Sequence, residues 1–268
     1  MKKLNGDKLI VNTKANANDF QGRFNEILSD PNNKYIPRVN DAGKIIDNCI
    51  VMHNGIKVCL GAQAYYGNFA KILMLNKGVH EPQEERAFHE VLKHINDGAT
   101  MIELGAYWSF YSMWFQKKIK NAKNYMIEPE LKHIISGKKN FSTNNMKGDF
   151  TKASIGEKGL DFLSYIKNKN IDHIDLLHAD IQGAEFFLLN NIQTLLINKT
   201  ISYLFISTHS QELHYQCKEF LEQHNYTIIA SADFDNETYC YDGILVAKEK
   251  SIAYPQPINI AKRNDSIL

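Results

Sequence analysis

The apolar positions of this chain follow three successive rhythms. Up to about residue 44 the sequence is polar, broken by Pro31, Pro37 and Gly43. Within it, Phe20, Phe24, Ile27 and Leu28 recur at helical spacing and predict a helix over 18–28. Then comes IIDNCIVMHNGIKVCL, two β-rich runs flanking Asn54-Gly55, which predicts a hairpin. Tyr65-Tyr66-Gly67 and the acidic stretch Glu81-Pro82-Gln83-Glu84-Glu85 lead into a helix expected over 84–96, with Gly98 as its C-cap. From Thr100 short apolar runs alternate with amphipathic ones. Strands are expected at 100–104, 124–128, 147–152, 173–179, 202–207, 226–231 and 242–247. Helices are expected near 109–120, 130–140, 158–168, 183–190 and 211–224. Such alternation means parallel strands joined by crossover helices. No helix fits between the last two strands, so they should form an antiparallel hairpin at one edge. The expected fold is therefore α/β: a doubly wound, mostly parallel seven-stranded sheet with a C-terminal antiparallel hairpin and an N-terminal helix and hairpin extension. The division expected is 1–80 for the extension, 81–250 for the main domain and 251–268 for a tail.

The informative chemistry lies where these strands end. The run TMIEL stops at Glu103, followed by Gly105-Ala106, and NYMIE stops at Glu128, followed by Pro129. Ligands of open α/β sheets sit beyond the carboxyl ends of the strands, where an acid can hold both ribose hydroxyls. Two consecutive strands ending in acids therefore point to a nucleoside cofactor. A pyrophosphate loop is absent: a GxGxxG pattern from Gly105 already fails at Tyr107, and Ser109 is no glycine either. The alternative reading of Glu103 and Glu128 is that they cap the helices that follow. A third junction, LLHADIQGAEFFLL, crowds His178, Asp180, Gln182 and Glu185 together, with Asp180 at the strand end; for Glu185 the alternative is stabilisation of the helix dipole. In FISTHSQELH, His209 closes the next strand and should share the rim with Asp180. A histidine there could accept a hydroxyl proton near neutral pH. Asp180 and His209, with Gln182, are also a candidate set for a divalent cation such as magnesium.

Composition narrows the classes. Lys and Arg total 31 against 30 Asp and Glu, with no basic run, so no nucleic-acid partner is expected. No apolar run approaches a membrane span, and the two N-terminal lysines are not followed by a signal-like apolar region. Cys49, Cys59, Cys217 and Cys240 form no CxxC pair and suit the thiols of a reducing cytoplasm.

Taken in order, MIELGAYWSFYS, IEPE, LLHADIQGAEFFLL, ISTHS and YDGILVAK resemble the FkbM-type S-adenosylmethionine-dependent methyltransferases, over about 81–248. DxQGAE is the most family-specific element, although most members carry an acid at Gln182. The resemblance implies that Glu103, Gly105, Ala106 and Tyr107 line the methionine end. It implies that Glu128 and Pro129 take the ribose, that Ala153-Ser154 approach the adenine, and that Asp180 and His209 face the acceptor. Members mostly methylate hydroxyls of sugars and of sugar-bearing products. The expectation is an S-adenosylmethionine-dependent O-methyltransferase acting on a sugar hydroxyl, in surface polysaccharide or nucleotide-sugar biosynthesis, with His209 as base and Asp180 orienting it. A homo-oligomer through the N-terminal segment belongs to the same reading. The rivals are a non-catalytic cofactor-binding subunit, a methyltransferase of another small molecule or of RNA, and a nicotinamide-dependent oxidoreductase.

Overall fold

A computed structural model describes residues 19–61 and 70–267. The sequence TyrTyrGly at 65–67 and the start of the first expected helix lie outside the described residues.

The first described element is helix α1 (Phe20–Ser29), whose N-cap Asp19 accepts a hydrogen bond from the amide of Gly22. A 3-10 turn over Pro31–Tyr35 follows. The hairpin predicted around Asn54-Gly55 is present as β2 (Cys49–Val51) against β3 (Lys57–Cys59). A further short strand, β1 (Ile45–Ile46), precedes it and pairs with β2. The Asp47-Asn48 turn between them has φ of +53° and +57°, left-handed at both positions, which is the geometry of the commonest tight hairpin. That signal was not read from the sequence. Helices α2 (Lys71–Leu75) and α3 (Pro82–Val91) come next. Pro82 opens α3 at the position where a missing amide costs nothing. The helix ends at Val91 and passes into a 3-10 turn over Leu92–His94, short of the Gly98 cap expected for it. Gly98 instead donates its amide to Lys120 O.

The main sheet has the order β6-β5-β4-β7-β8-β10-β9. Its strands are β4 (Thr100–Leu104), β5 (Lys123–Glu128), β6 (Asp149–Lys152), β7 (Ile174–Ala179), β8 (Ile201–Thr208), β9 (Tyr226–Ala232) and β10 (Gly243–Glu249). The first five are parallel, whereas β10 runs antiparallel to both β8 and β9. Crossovers are α4 (Phe110–Lys118), α5 (Leu131–Thr143), α6 (Phe162–Asn168), α7 (Glu185–Asn191) with α8 (Gln193–Ile197), and α9 (Gln211–Gln223). The chain winds outward from β4 to β6, then returns to the other side of β4 as β7. That reversal is the topological switch point at which such sheets bind ligands.

The strands are apolar on both faces because helices cover both. Pleating sends Met101, Tyr203, Phe205 and Val246 into one core with Phe88, Met113 and Phe115. Their neighbours Ile102, Leu204, Ile206 and Leu245 enter the other, with Phe162, Leu188 and Leu221. The first core also contains Ile27, Ile50, Met52, Val58, Ile72 and Leu73, so the segment before residue 81 shares one interior with the main sheet. The small sheet is fastened to α5 by Asn144, which accepts from Lys57 N at 2.9 Å and donates to Lys57 O at 2.8 Å. All four cysteines are buried and free, and Cys49 and Cys59 face each other across β2 and β3. Among the described residues, no helix is long and apolar enough to cross a membrane.

Candidate active site

A cleft of about 510 Å³ opens at the carboxyl ends of β4, β5 and β7. Its floor is the switch point. Gly105 leaves β4 with φ +72°, and a Cβ there would stand 1.7 Å from the carbonyl oxygen of Asp180. Only glycine lets the two strand ends approach this closely. The approach is fixed by Asp180 N, which donates to Leu104 O at 3.0 Å, and by Gly105 N, which donates to Ile127 O at 2.9 Å. Glu103, Gly105, Ala106 and Tyr107 all line the cleft, as do Glu128 and Pro129. Ala153 and Ser154, just past β6, and Asp180 and Gln182, just past β7, complete the set expected there.

Glu103 also performs the capping task offered as its alternative reading, whereas Glu128 reaches no first-turn amide of α5, whose N-cap is Glu130. Glu103 is 3% exposed, and its Oε2 accepts from Ser112 N in the first turn of α4. Burial, opposed by His178 and Ser112, lifts its carboxyl to about 7. Glu128 accepts from Tyr107 N through Oε2 (2.9 Å) and from Glu130 N through Oε1 (2.9 Å), with His133 Nδ1 at 3.1 Å. Each carboxylate oxygen has two lone-pair sites; with Glu130 N and His133 at Oε1 and Tyr107 N at Oε2, Glu128 keeps one site, on Oε2, for a ligand hydroxyl.

The loop lacking its glycines retains the backbone that glycines would suit. Tyr107 has φ +42° and Ser109 has φ +63°. A side chain in this region costs roughly 1–2 kcal/mol. The Ser109 hydroxyl is buried without a hydrogen-bond partner among the described residues. Ser109→Gly should therefore leave stability unchanged or raise it by up to about 1 kcal/mol, despite the greater freedom of glycine when unfolded. Urea unfolding of the variant checks this, and a clear loss of stability would contradict it.

His209 is where it was expected along the chain, at the end of β8, but it does not line the cleft. Its Nδ1 lies 2.9 Å from Glu185 Oε1, and its Nε2 lies 3.2 Å from Asp180 Oδ1 and 3.3 Å from Asp242 Oδ1. Burial opposes charge on the ring, yet Asp180, Glu185 and Asp242 together lift its pKa to about 10. Three carboxylates around the ring favour its protonated form, which has no lone pair to take a hydroxyl proton. Glu185 is fully buried, and its Oε1 also accepts from Ile181 N and Gly183 N, so this acid locks the turn after β7 onto His209. That task goes beyond stabilising a helix dipole.

Asp180, His209 and Asp242 each bring one ligand atom within 4.8 Å of the others, a spacing that fits a cation. Gln182, expected in that set, is exposed beside it and donates its amide to Asp180 Oδ1 at 3.0 Å. Asp242 joins the set because β10 runs antiparallel, which brings its leading residue, Gly243, opposite Thr208.

The far end of the cleft was largely missed in the sequence. His80, Glu81, Glu84, Tyr111, His178 and Ser207 line it. His178 Nε2 meets Glu84 Oε1 at 2.6 Å, and the Tyr111 hydroxyl donates to Glu81 Oε2 at 2.8 Å. Burial opposes charge on His178, but Glu84, Glu103 and Asp180 lift it to about 9. Behind them Glu85 is wholly buried between His80 Nδ1 at 2.6 Å and His53 Nε2 at 3.1 Å. The signal available in the sequence was the cluster His80-Glu81-Pro82-Gln83-Glu84-Glu85, read there only as the approach to a helix.

No protein-family model and no curated protein matches the chain. Among solved structures it is similar to the precorrin-6y C5,15-methyltransferase of Geobacter metallireducens, at 13% identity over 60% of this chain and 86% of that one, TM-score 0.45. It is similar to M. capricolum TrmK in complex with S-adenosyl-homocysteine, at 19% identity over 61% and 67%, TM-score 0.42. A third is the ribosomal protein L11 methylase of Lactobacillus delbrueckii subsp. bulgaricus, at 14% identity over 65% and 81%, TM-score 0.45. Likeness at this level carries no argument about the reaction, and the functional reading rests on the residues of the cleft.

Proposed function

We propose that this protein is an S-adenosylmethionine-dependent methyltransferase that acts on a hydroxyl of a sugar-like acceptor. The observation that carries the reading is the junction of Gly105 with Asp180 in one cleft with Glu128, at the switch point of the sheet. The cleft offers the nucleoside a carboxylate with free acceptor capacity at Glu128, and small walls at Ala106, Ala153 and Ser154. It offers no glycine-rich cradle for a pyrophosphate, which fits a cofactor without phosphate and argues against a nicotinamide dinucleotide. When bound, S-adenosylmethionine would supply an electrophilic methyl group on a good leaving group. What remains for the protein is to align the acceptor oxygen and take its proton.

In this reading Asp180 is the group that meets the acceptor hydroxyl, since its side chain is one-third exposed at the cleft. His209 positions it, as a cation held between Asp180, Asp242 and Glu185. This reverses the roles expected from the sequence. A divalent cation on Asp180, His209 and Asp242 is the variant of the same reading, and Glu185 would then orient the histidine ligand from behind, as outer-shell carboxylates do.

Calorimetric titration with S-adenosylmethionine and S-adenosylhomocysteine, with NAD as control, tests the cofactor. Micromolar binding of the sulfur ligands and none of NAD is expected. Glu128→Ala should weaken that binding at least about tenfold, the scale of a lost hydrogen bond to a charged group. A folded wild-type protein that binds neither sulfur ligand would refute the proposal. Repeating the titration after treatment with a chelator separates the cation-dependent variant.

A further inference from the structure

The four cysteines form no CxxC pair in the sequence, yet the fold brings two of them together. Cys49 on β2 and Cys59 on β3 stand directly opposite each other, and their sulfurs lie 3.3 Å apart. The ladder makes them a pair without backbone bonds of their own. Leu60 N donates to Asn48 O and Met52 N donates to Ile56 O, so the bonded positions of this antiparallel ladder are those of Asn48, Ile50 and Met52. At the positions between, side chains come closer and the Cα atoms stand roughly 4.5 Å apart, inside the range that a disulfide bridges.

The two sulfurs differ in access. Cys59 is 8% exposed, and its Sγ lies 3.1 Å from the hydroxyl of Thr143, an exposed residue at the end of α5. That hydroxyl can donate to a Cys59 thiolate. Cys49 lies deeper. Burial and Cys59 itself push its thiol up to about 11, against the opposing charges of Lys57 and Lys139. Cys49 therefore rests as a thiol until the sulfur beside it becomes electrophilic. Cys217 and Cys240 sit by contrast near carboxylates: burial and Glu185 raise the first to about 12, and burial and Glu81 lift the second well above its usual value. Both are suited to remain thiols.

We infer that Cys49 and Cys59 close a reversible disulfide when the protein meets hydrogen peroxide, and that the bond locks the hairpin of β2 and β3. The Cys59 thiolate attacks one peroxide oxygen, the O–O bond breaks, and hydroxide leaves and takes up a proton. The Cys49 sulfur then attacks the sulfenic acid on Cys59, losing its proton as the S–O bond breaks and a second water departs. The two thiols lose two electrons and two protons in all, and one peroxide becomes two waters. The bond would form whether or not the cleft binds S-adenosylmethionine. The hairpin nevertheless reaches the cleft: Cys59 N donates to Asn140 Oδ1 at 3.1 Å, and Asn140 Nδ2 donates to Trp108 O at 3.2 Å, on the loop that lines it.

The test uses the full chain, fully reduced and after treatment with a slight molar excess of hydrogen peroxide until the thiol count is constant. Four thiols counted in denaturant before treatment should become two. Peptide mapping should join Cys49 to Cys59, and dithiothreitol should restore the original count. The oxidised form should melt roughly 5 °C above the reduced one, because a closed loop restricts the unfolded chain. Cys49→Ser and Cys59→Ser should each form no such bond and show no rise in Tm on treatment. A wild-type count that stays at four would overturn the inference. So would a bond between other cysteines or between chains, or oxidation of Cys59 to a sulfinic acid with no bond formed. A mapped bond that leaves Tm unchanged would overturn the lock.

Discussion

Gly105→Ala should destabilise the protein by about 3–5 kcal/mol and abolish cofactor binding in whatever fraction stays folded. Two penalties combine at this position. The backbone has φ +72°, where a Cβ is itself unfavourable, and that Cβ would lie 1.7 Å from Asp180 O and 2.8 Å from Asp180 C. The obstacle is backbone, so no rotamer change relieves it. The strand ends of β4 and β7 would have to part, breaking the bond from Asp180 N to Leu104 O. Asp180 would move with them, and the cleft would lose its floor. For a chain of this size the loss corresponds to a fall in Tm of roughly 10 °C. Denaturant unfolding together with the S-adenosylhomocysteine titration measures both effects. A variant as stable as the wild type would show that the two strands are not held this tightly.

Stability should also fall as the pH rises from about 6.5 to 9, by an amount on the order of several kcal/mol. His80 and His178 are lifted from 6.5 to about 9, and His209 to about 10, because carboxylates outweigh the burial of each ring. The folded state therefore holds these protons more tightly than the unfolded chain. Their stabilisation is complete below the unfolded value and is lost as the pH climbs through the folded ones. Glu81 and Glu103, lifted to about 7, act in the same direction at the lower edge of the window. Glu85, held well below the usual carboxylate range by His80 and His53 in spite of its burial, is ionised throughout the window and adds no slope. His214 is pushed down to about 4 by burial, so its contribution changes only below this window. Unfolding free energies in urea at pH 6.5, 8 and 9 give the slope directly. A flat profile would mean that the rings are neutral in the folded protein.

The parts of this site that were legible in the sequence are those that depend on local order. A strand of an open parallel sheet delivers its last residue to the rim, so Glu103, Glu128 and Asp180 could be placed from the position of each apolar run alone. The seven main strands and the reversed hairpin followed from the same periodicities. What escaped was set by tertiary packing. The stretch from His80 to Glu85 looks like a solvated helix start, yet Glu84 and Glu85 are buried, and nothing local reveals that His53 and His178 come to meet them. His209 could be put at the rim, but its role depends on Asp242, which is 33 positions away and arrives from a different loop. Tyr107 and Ser109 were read only as breaking a glycine pattern. The backbone keeps its left-handed turns there and carries the strain of larger side chains instead.

The reversal of β10 has a consequence for how such a protein can diversify. In a parallel strand the residues that precede it lie on the face remote from the ligand, so only the segments that leave strands can contribute chemistry. Because β10 runs backwards, the segment entering it reaches the ligand-facing rim, and Asp242 arrives there one residue before pairing begins. The connection from 233 to 242 joins β9 at the sheet's edge to its partner without a crossover helix. It is anchored, however: Thr238, Tyr239 and Cys240 are buried, and Gln83 of α3 accepts from Tyr239 N, so Asp242 is held at the rim by a packed turn. Variation that spares this packing is confined to its exposed positions, Asp235, Asn236 and Tyr241.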